Sequence, residues 1–160
     1  MNLAHVHLLL NHIPVIAIPI GFLFLLHSLW RANASSTRFS YLFLFLTSLS
    51  VIAVYLTGEP AEKVIEHLPE VIESVISPHE DAALIALIMT LIMGAFSFIA
   101  LFLREGAKAR YARNAVIFTV FVSISTLSYT AFLGGKVRHT EIRDDFKSST
   151  VNEKIEAVTH

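Results

Sequence analysis

The stretch at residues 82–103, AALIALIMTLIMGAFSFIALFL, decides the fold class of this chain. Its 22 residues include no charged side chain. An α-helix of that length spans about 33 Å, and the hydrocarbon core of a bilayer is about 30 Å thick. The stretch therefore predicts a transmembrane helix.

Three more stretches have a similar length and character, at residues 13–30, 39–57 and 115–133. They raise the hydrophobic content of the chain to 54%, above the roughly 45–50% that is usual for soluble proteins. We therefore predict an all-α fold, a four-transmembrane-helix bundle within residues 1–143. A polar C-terminal tail at residues 144–160 is expected to follow it.

Positive charges are concentrated in two short connections, at residues 31–38 and 104–114. Glu105 is the single acid there, and the six cations are Arg31, Arg38, Arg104, Lys108, Arg110 and Arg113. Short loops rich in Lys and Arg remain in the cytoplasm. We therefore predict a bacterial cytoplasmic-membrane protein in contact with the lipid bilayer, with both termini on the outer, periplasmic side. No basic patch interleaved with aromatic residues is present, so nucleic acid is not an expected partner.

The one long connection, between the second and third spans, is predicted to hold an amphipathic outer-side helix at residues 60–76. Its apolar residues recur every three or four positions, opposite Glu62, Glu66, Glu70 and Glu73. Pro69 would divide it into two short helices. Such a helix either only covers the ends of the spans or takes part in closing a site there.

Histidines are the most informative polar residues. Seven of the eight fall at the predicted outer end, and His27 lies toward the other face, where we expect it to be packed and hydrogen-bonded. The seven are His5, His7, His12, His67, His79, His139 and His160. Imidazole is a common ligand of metals and of haem iron, so this distribution predicts a redox or metal site at the outer end.

Local sequence indicates which histidines point into such a site. His5 and His12 are seven residues apart and share one face of a helix, whereas His7 points elsewhere. Ser77 and Pro78 are typical of a helix N-cap and first turn, which would put His79 at the mouth of the third span. Gly134 and Gly135 are predicted to end the fourth span and to return His139 over the bundle.

A b-type haem is the cofactor we expect, held by two axial imidazoles about 4 Å apart. His12 would pair with His79 or with His139, while His5, His7 and His67 are further candidates in the same site. Lys136 or Arg138 would meet the haem propionates. Cysteine is absent, which excludes thiolate metal sites and a covalently attached c-type haem.

Two alternatives remain open from the sequence. His12, His79 and His139, with outer-end carboxylates, are also suitable ligands for non-haem zinc, copper or iron. The chain could instead be a structural subunit of a larger membrane complex, or a homodimer. Because no nucleophile with a base and no phosphate loop is present, an electron carrier or subunit is expected rather than a stand-alone enzyme. A quinone and a periplasmic electron carrier are the expected redox partners.

The run His7-x-x-x-x-His12-x-Pro14, the histidine at position 79 and the double glycine followed by His139 also resemble a family of small bacterial four-helix membrane proteins of unknown function. The resemblance covers most of residues 1–143. It implies a four-span bundle with a suspected redox or haem-binding role. Two features depart from the family pattern: the spacing from the glycines to His139 is shorter, and the segment at residues 58–78 is distinctive.

Overall fold

A computed structural model describes residues 2–66, 73–139 and 142–143 of the chain. In these ranges the elements are all helices: α1 (Leu3–Trp30), α2 (Ala34–Leu56), α3 (Gly58–Ile65), α4 (Glu73–Phe102) and α5 (Gly106–Arg138). The helices α1, α4 and α5, and α2 together with α3, are long and apolar enough to cross a membrane. The prediction of an all-α bundle with four such helices is confirmed.

The four long helices form a ring in the order α1, α2, α4, α5. The most extensive contacts join α4 to α5, α1 to α2, and α2 to α4, and α1 also contacts α5. The helices α1 and α4 therefore lie at opposite corners, while α3 packs against α1 and α2. Only 28–33% of the most apolar part of each long helix is buried. The remaining apolar surface faces outward, as it does in a bundle surrounded by lipid.

Small residues set the closest approach between helices. A Cβ atom added at Gly94 of α4 would lie 1.9 Å from the hydroxyl oxygen of Ser48 on α2, and one added at Gly21 of α1 would lie 2.8 Å from the side chain of Leu44 on α2. Small residues at such crossings let backbones approach closely, which is the main source of helix association in a membrane. The α1–α2 and α2–α4 pairs therefore depend on these glycines.

The two ends of the bundle differ in their connections. We call the end with the connections at residues 31–33 and 103–105 the basic end, because the six predicted loop cations lie at or near it. At α1, Ala32 adopts a left-handed φ of 49°, the amide of Asn33 donates to the carbonyl of Ser28, and that of Ala32 donates to the carbonyl of Leu29. This is the Schellman pattern of a helix C-terminus. The side chain of Asn33 then accepts from the amide of Ser36 and caps α2.

We call the other end, near residues 3–12, 54–65, 73–80 and 130–139, the histidine end. Two predicted helix boundaries there are wrong. The helix α4 begins at Glu73, so Pro78 lies inside it, and α5 continues through Gly134 and Gly135 to Arg138. A proline removes one backbone hydrogen bond, a loss that neighbouring helices offset. Neither glycine adopts a positive φ, so nothing in their backbone ends the helix.

The outer amphipathic segment predicted at residues 60–76 is divided between α3 and the first turn of α4. The intervening residues 67–72, which include His67 and Pro69, lie outside the described residues, as do the tail at 144–160 and His160. Arg143 is buried and donates to the carbonyl oxygens of Lys136, at 2.7 Å, and Val137, at 3.0 Å. It thereby satisfies carbonyls in the last turn of α5.

Candidate functional site

The histidine end contains a cavity with a volume of about 1020 Å³. Five histidines line it: His5, His7, His12, His79 and His139. They come from the start of α1, the start of α4 and the C-cap of α5. We call this space the histidine cavity. Its size lies at the upper end of the range of roughly 300–1,000 Å³ that is usual for small-molecule and cofactor sites.

His7 lies in the second turn of α1 and is held by the end of α2. Its Nδ1 lies 3.1 Å from the carbonyl oxygen of Val54 and 3.1 Å from the hydroxyl oxygen of Thr57. A carbonyl oxygen can only accept a hydrogen bond, so Nδ1 carries the ring proton. Nε2 is therefore the nitrogen whose lone pair is available. The imidazole is half-buried, and two contacts from a second helix fix its orientation.

His79, near the start of α4, is held by α5 in the same way. Its Nδ1 lies 3.1 Å from the carbonyl oxygen of Thr130, so this ring too carries its proton on Nδ1 and leaves Nε2 available. The ring lies directly over the backbone of Gly134, where an added Cβ would be 2.9 Å from Cε1. Glycine at position 134 therefore makes room for the half-buried imidazole of His79.

These two imidazoles come from opposite corners of the ring of helices, and both line the histidine cavity. Because α1 and α4 are not adjacent in the ring, the space between the two side chains is the interior of the bundle end. The anchored histidine of the first span is thus His7, which was expected to point away from the site, and not His12.

The other three histidines that line the cavity are exposed. His12 is exposed, and its Nδ1 contacts the carbonyl of Leu8 on its own helix. His5 is exposed at the first turn of α1, where the side chain of Asn2 accepts from its backbone amide. His139 is exposed at the C-cap of α5. The rings of His5 and His12 have no hydrogen bond to another described helix, unlike those of His7 and His79.

Charged residues occupy the rim of the cavity. Glu59 and Glu62 of α3 and Glu80 of α4 line it from one side, and Arg138 of α5 lines it from another. The carboxyl groups of Glu62 and Glu80 lie near each other at this rim. Lys63, by contrast, points to solvent and pairs with Glu59 at 2.6 Å. The rim therefore has carboxyl groups on the α3 side and a guanidinium near the end of α5.

The walls below the rim are mostly apolar. Leu8, Pro14 and Val15 of α1, Ile65 of α3 and Leu127 of α5 contribute to them. Within residues 2–66, 73–139 and 142–143, no three His, Asp or Glu side chains are grouped closely enough to surround a single metal ion. The cavity thus offers two anchored imidazoles and apolar walls, rather than a compact set of three or four polar ligands.

Sequence reasoning identified the histidines and missed what holds them. Thr57, Thr130 and Gly134 contact the rings of His7 and His79, yet they are about fifty residues away from them in the chain. The local spacing of a motif contains no information about such contacts. The one signal that pointed to the site was the crowding of imidazoles at one end of four apolar stretches.

Comparison of the chain with protein-family models, with curated proteins and with solved structures found no match. The family resemblance of the histidine and glycine motifs stays a prediction.

Proposed function

We propose that the protein binds one b-type haem in the histidine cavity, with His7 and His79 as the axial ligands, and that it transfers electrons at the outer face of the bacterial cytoplasmic membrane. When bound, the haem supplies a one-electron redox centre. The residues of the chain hold it, orient its ligands and exclude water. A membrane quinone and a periplasmic electron carrier are the proposed partners, and both termini are proposed to lie on the periplasmic side.

The state of the two ring nitrogens is the observation that carries this proposal. Histidines that bind a metal through one nitrogen almost always donate the other N–H to a carbonyl, a carboxylate or water, which fixes the tautomer and the ring direction. His7 and His79 both donate from Nδ1 to backbone carbonyls of a neighbouring helix. Each therefore offers Nε2, in an orientation set before any ligand arrives.

The surroundings of the two rings also suit a haem. A porphyrin needs apolar walls around its ring and cations near its propionates. Leu8, Val15 and Leu127 supply apolar wall, and Arg138 lies at the rim, where a guanidinium can pair with a carboxylate. The exposed edge of the cavity is thus suited to the charged side of the macrocycle, and the interior to its apolar body.

His7 is preferred to His12 as the partner of His79 because of how each ring is held. His7 is half-buried and fixed by a second helix, whereas His12 is exposed and contacts only its own helix. His12, His5 and His139 are then candidates for hydrogen bonds at the cavity mouth. His79 remains a proposed haem ligand, and Arg138 remains a proposed partner of the haem propionates, as the sequence predicts.

A non-haem centre of zinc, copper or iron is supported less well. Such centres use three or four protein ligands around one ion, and the described residues do not bring three together. A haem needs only two imidazoles from the protein, and His7 and His79 supply two anchored rings that line one cavity.

An absorption spectrum of the detergent-purified protein from haem-replete cells, before and after dithionite, tests the proposal. We expect a Soret band that shifts on reduction and a sharp α band typical of two imidazole ligands. A protein that remains colourless after addition of haemin contradicts the proposal. Stoichiometric zinc, copper or iron without porphyrin would select the non-haem alternative, and absence of both would leave a structural subunit.

A further inference from the structure

A second depression lies on the outer surface of the α4–α5 pair. Pro78, Asp81 and Ile85 of α4 form one wall, and Ser125 and Tyr129 of α5 form the other. It has a volume of about 410 Å³, within the range of roughly 300–1,000 Å³ for small-molecule sites. We call it the lateral groove. Its residues on each helix are three or four positions apart, so they share one helix face.

The lateral groove opens toward lipid rather than into the bundle. The side chains of Tyr129 and Ile85 are 58% and 50% exposed. Asp81 directly precedes the charge-free stretch at residues 82–103, which puts the groove at the boundary between headgroups and hydrocarbon. A molecule dissolved in the bilayer can therefore enter the groove sideways without passing through the histidine cavity.

Four polar side chains line this groove, and one of them, Thr126, donates its hydroxyl to carbonyls of its own helix. Among the described residues, the side chains of Asp81, Ser125 and Tyr129 have no hydrogen-bond partner and no ion pair. The hydroxyls of Ser125 and Tyr129 can each donate a hydrogen bond, and the carboxylate of Asp81 can accept one. An acyl chain would use none of these groups. A lipid phosphate would meet a carboxylate and no cation, which is unfavourable.

The lateral groove and the proposed haem ligand His79 lie on opposite sides of the α4–α5 pair. Pro78 lines the groove and the next residue, His79, lines the histidine cavity. On α5, Tyr129 lines the groove while the carbonyl of the next residue, Thr130, accepts the hydrogen bond from His79. Consecutive Cα atoms are about 3.8 Å apart, so the two sites are near neighbours on opposite sides of the α4–α5 contact.

We propose that the lateral groove binds the ring of a bilayer quinone or quinol. Ser125 and Tyr129 donate hydrogen bonds to a ring carbonyl of the quinone, Asp81 accepts one from a ring hydroxyl of the quinol, and the isoprenoid tail continues along the apolar surface beside Ile85. The choice of a redox-active lipid over another amphiphile with a polar ring rests on the proposed function, because the groove adjoins the proposed haem ligand. Binding itself requires no haem.

Binding of decylubiquinone to the full chain in nanodiscs of phosphatidylcholine tests this proposal. An azido-quinone photoprobe, competed with decylubiquinone, gives the labelled peptide, and a titration gives the affinity. We expect labelling within residues 78–85 and 125–129. Ser125→Leu fills the groove from a lipid-exposed position and is expected to weaken binding at least tenfold, while Tyr129→Phe removes one donor and is expected to weaken it several-fold.

Ser128→Leu is the matched control, since Ser128 is an exposed serine of the same helix that does not line the groove. We expect it to bind decylubiquinone within twofold of the unmodified protein. Unchanged affinity in both groove variants, labelling of the histidine cavity instead, or equal displacement of the probe by oleate overturns the proposal. Haem content measured on the same samples keeps the two hypotheses apart. Quinone binding without haem leaves the groove assignment intact, and haem without quinone binding removes only the groove.

Discussion

Polar groups at the basic end bond to partners at most 9 residues away in the chain, whereas at the histidine end the two anchored rings bond to partners 47–51 residues away. At the basic end, Asn33 caps its own helix, and Thr37 donates to Ser28 across the α1–α2 turn. At the histidine end, His7 of α1 is fixed by α2, and His79 of α4 is fixed by α5. The contacts at the basic end terminate one helix and begin the next. The contacts at the histidine end hold two imidazole rings in fixed directions inside a cavity.

The charges of the two ends show the same contrast. None of the six cations of the basic end forms a salt bridge with another described residue, and all but Arg113 are exposed. Such charges set the orientation of a membrane protein and need no defined partner. The histidine end has carboxyl groups and imidazoles that face one cavity. We propose that the histidine end binds the cofactor and that the basic end sets the orientation in the membrane, and the following variants test this proposal.

Removal of an anchored imidazole should have the largest effect. His79→Ala deletes one of the two proposed axial ligands, so we expect almost complete loss of haem from the purified protein. His27→Ala is the control from the other half of α1, where the exposed imidazole lies 6.1 Å from the ring of Trp30. We expect it to keep its full haem content by the pyridine haemochrome assay. Equal haem content in the two variants would mean that the ligands lie elsewhere.

A methyl group at position 134 should have the next largest effect. Gly134→Ala places a Cβ 2.9 Å from Cε1 of His79, so the ring must shift, and we expect haem affinity to fall about tenfold. The neighbouring Gly135→Ala places its Cβ 3.6 Å from Ile142, which is ordinary contact, and should bind haem normally. Haem titration of the two apoproteins measures the difference. If both glycines tolerate alanine equally, the ring of His79 does not need its present position.

Loss of a hydroxyl that supports His7 should have a smaller effect. Thr57→Val removes one of the two acceptors at Nδ1 but leaves the carbonyl of Val54, so we expect haem to dissociate several-fold faster. Thr37→Val removes a comparable hydroxyl at the opposite end of α2 and should leave the rate unchanged. Transfer of haem to apomyoglobin follows both rates. Identical rates in the two variants would show that Thr57 does not orient His7.

The smallest effect is expected at the basic end, and on stability alone. Ala32 adopts φ 49°, a left-handed conformation that costs a residue with a Cβ about 1–2 kcal/mol. Ala32→Gly should therefore raise the free energy of unfolding by about 1 kcal/mol without changing haem content. Thermal unfolding in detergent, followed by circular dichroism, measures the gain. A destabilised variant would contradict the left-handed turn at residues 31–33.

The spans were predictable because bilayer thickness imposes a minimum length on any charge-free stretch, as at residues 82–103. The ends of the helices were less predictable from the sequence. Pro78 is typical of a helix start and Gly134 of a helix end, but here α4 and α5 continue through these residues. His27 was expected to be packed and hydrogen-bonded; it is exposed and has no hydrogen bond from its side chain to the described residues. At Pro78, Gly134 and His27 the tertiary surroundings determine the structure, and the local sequence does not.

The candidate site was also predictable from the sequence only in part. Composition and spacing indicated that His5, His7, His12, His79 and His139 belong to one end of the bundle, and these five histidines line one cavity. Helical periodicity placed His7 on a different face from His5 and His12, but it could not tell which face turns toward α2. That choice depends on close contacts such as Gly21 against Leu44, which fix the rotation of α1 and are not encoded in the histidine motif.

Electron paramagnetic resonance of the oxidised protein tests most directly whether His7 and His79 both coordinate the iron of one haem. The unmodified protein, and the His12→Ala variant beside it, should give the low-spin ferric signal of two axial imidazoles. His7→Ala and His79→Ala should each lose that signal. A low-spin signal that survives in both of these variants, or that disappears only in His12→Ala, would contradict the assignment.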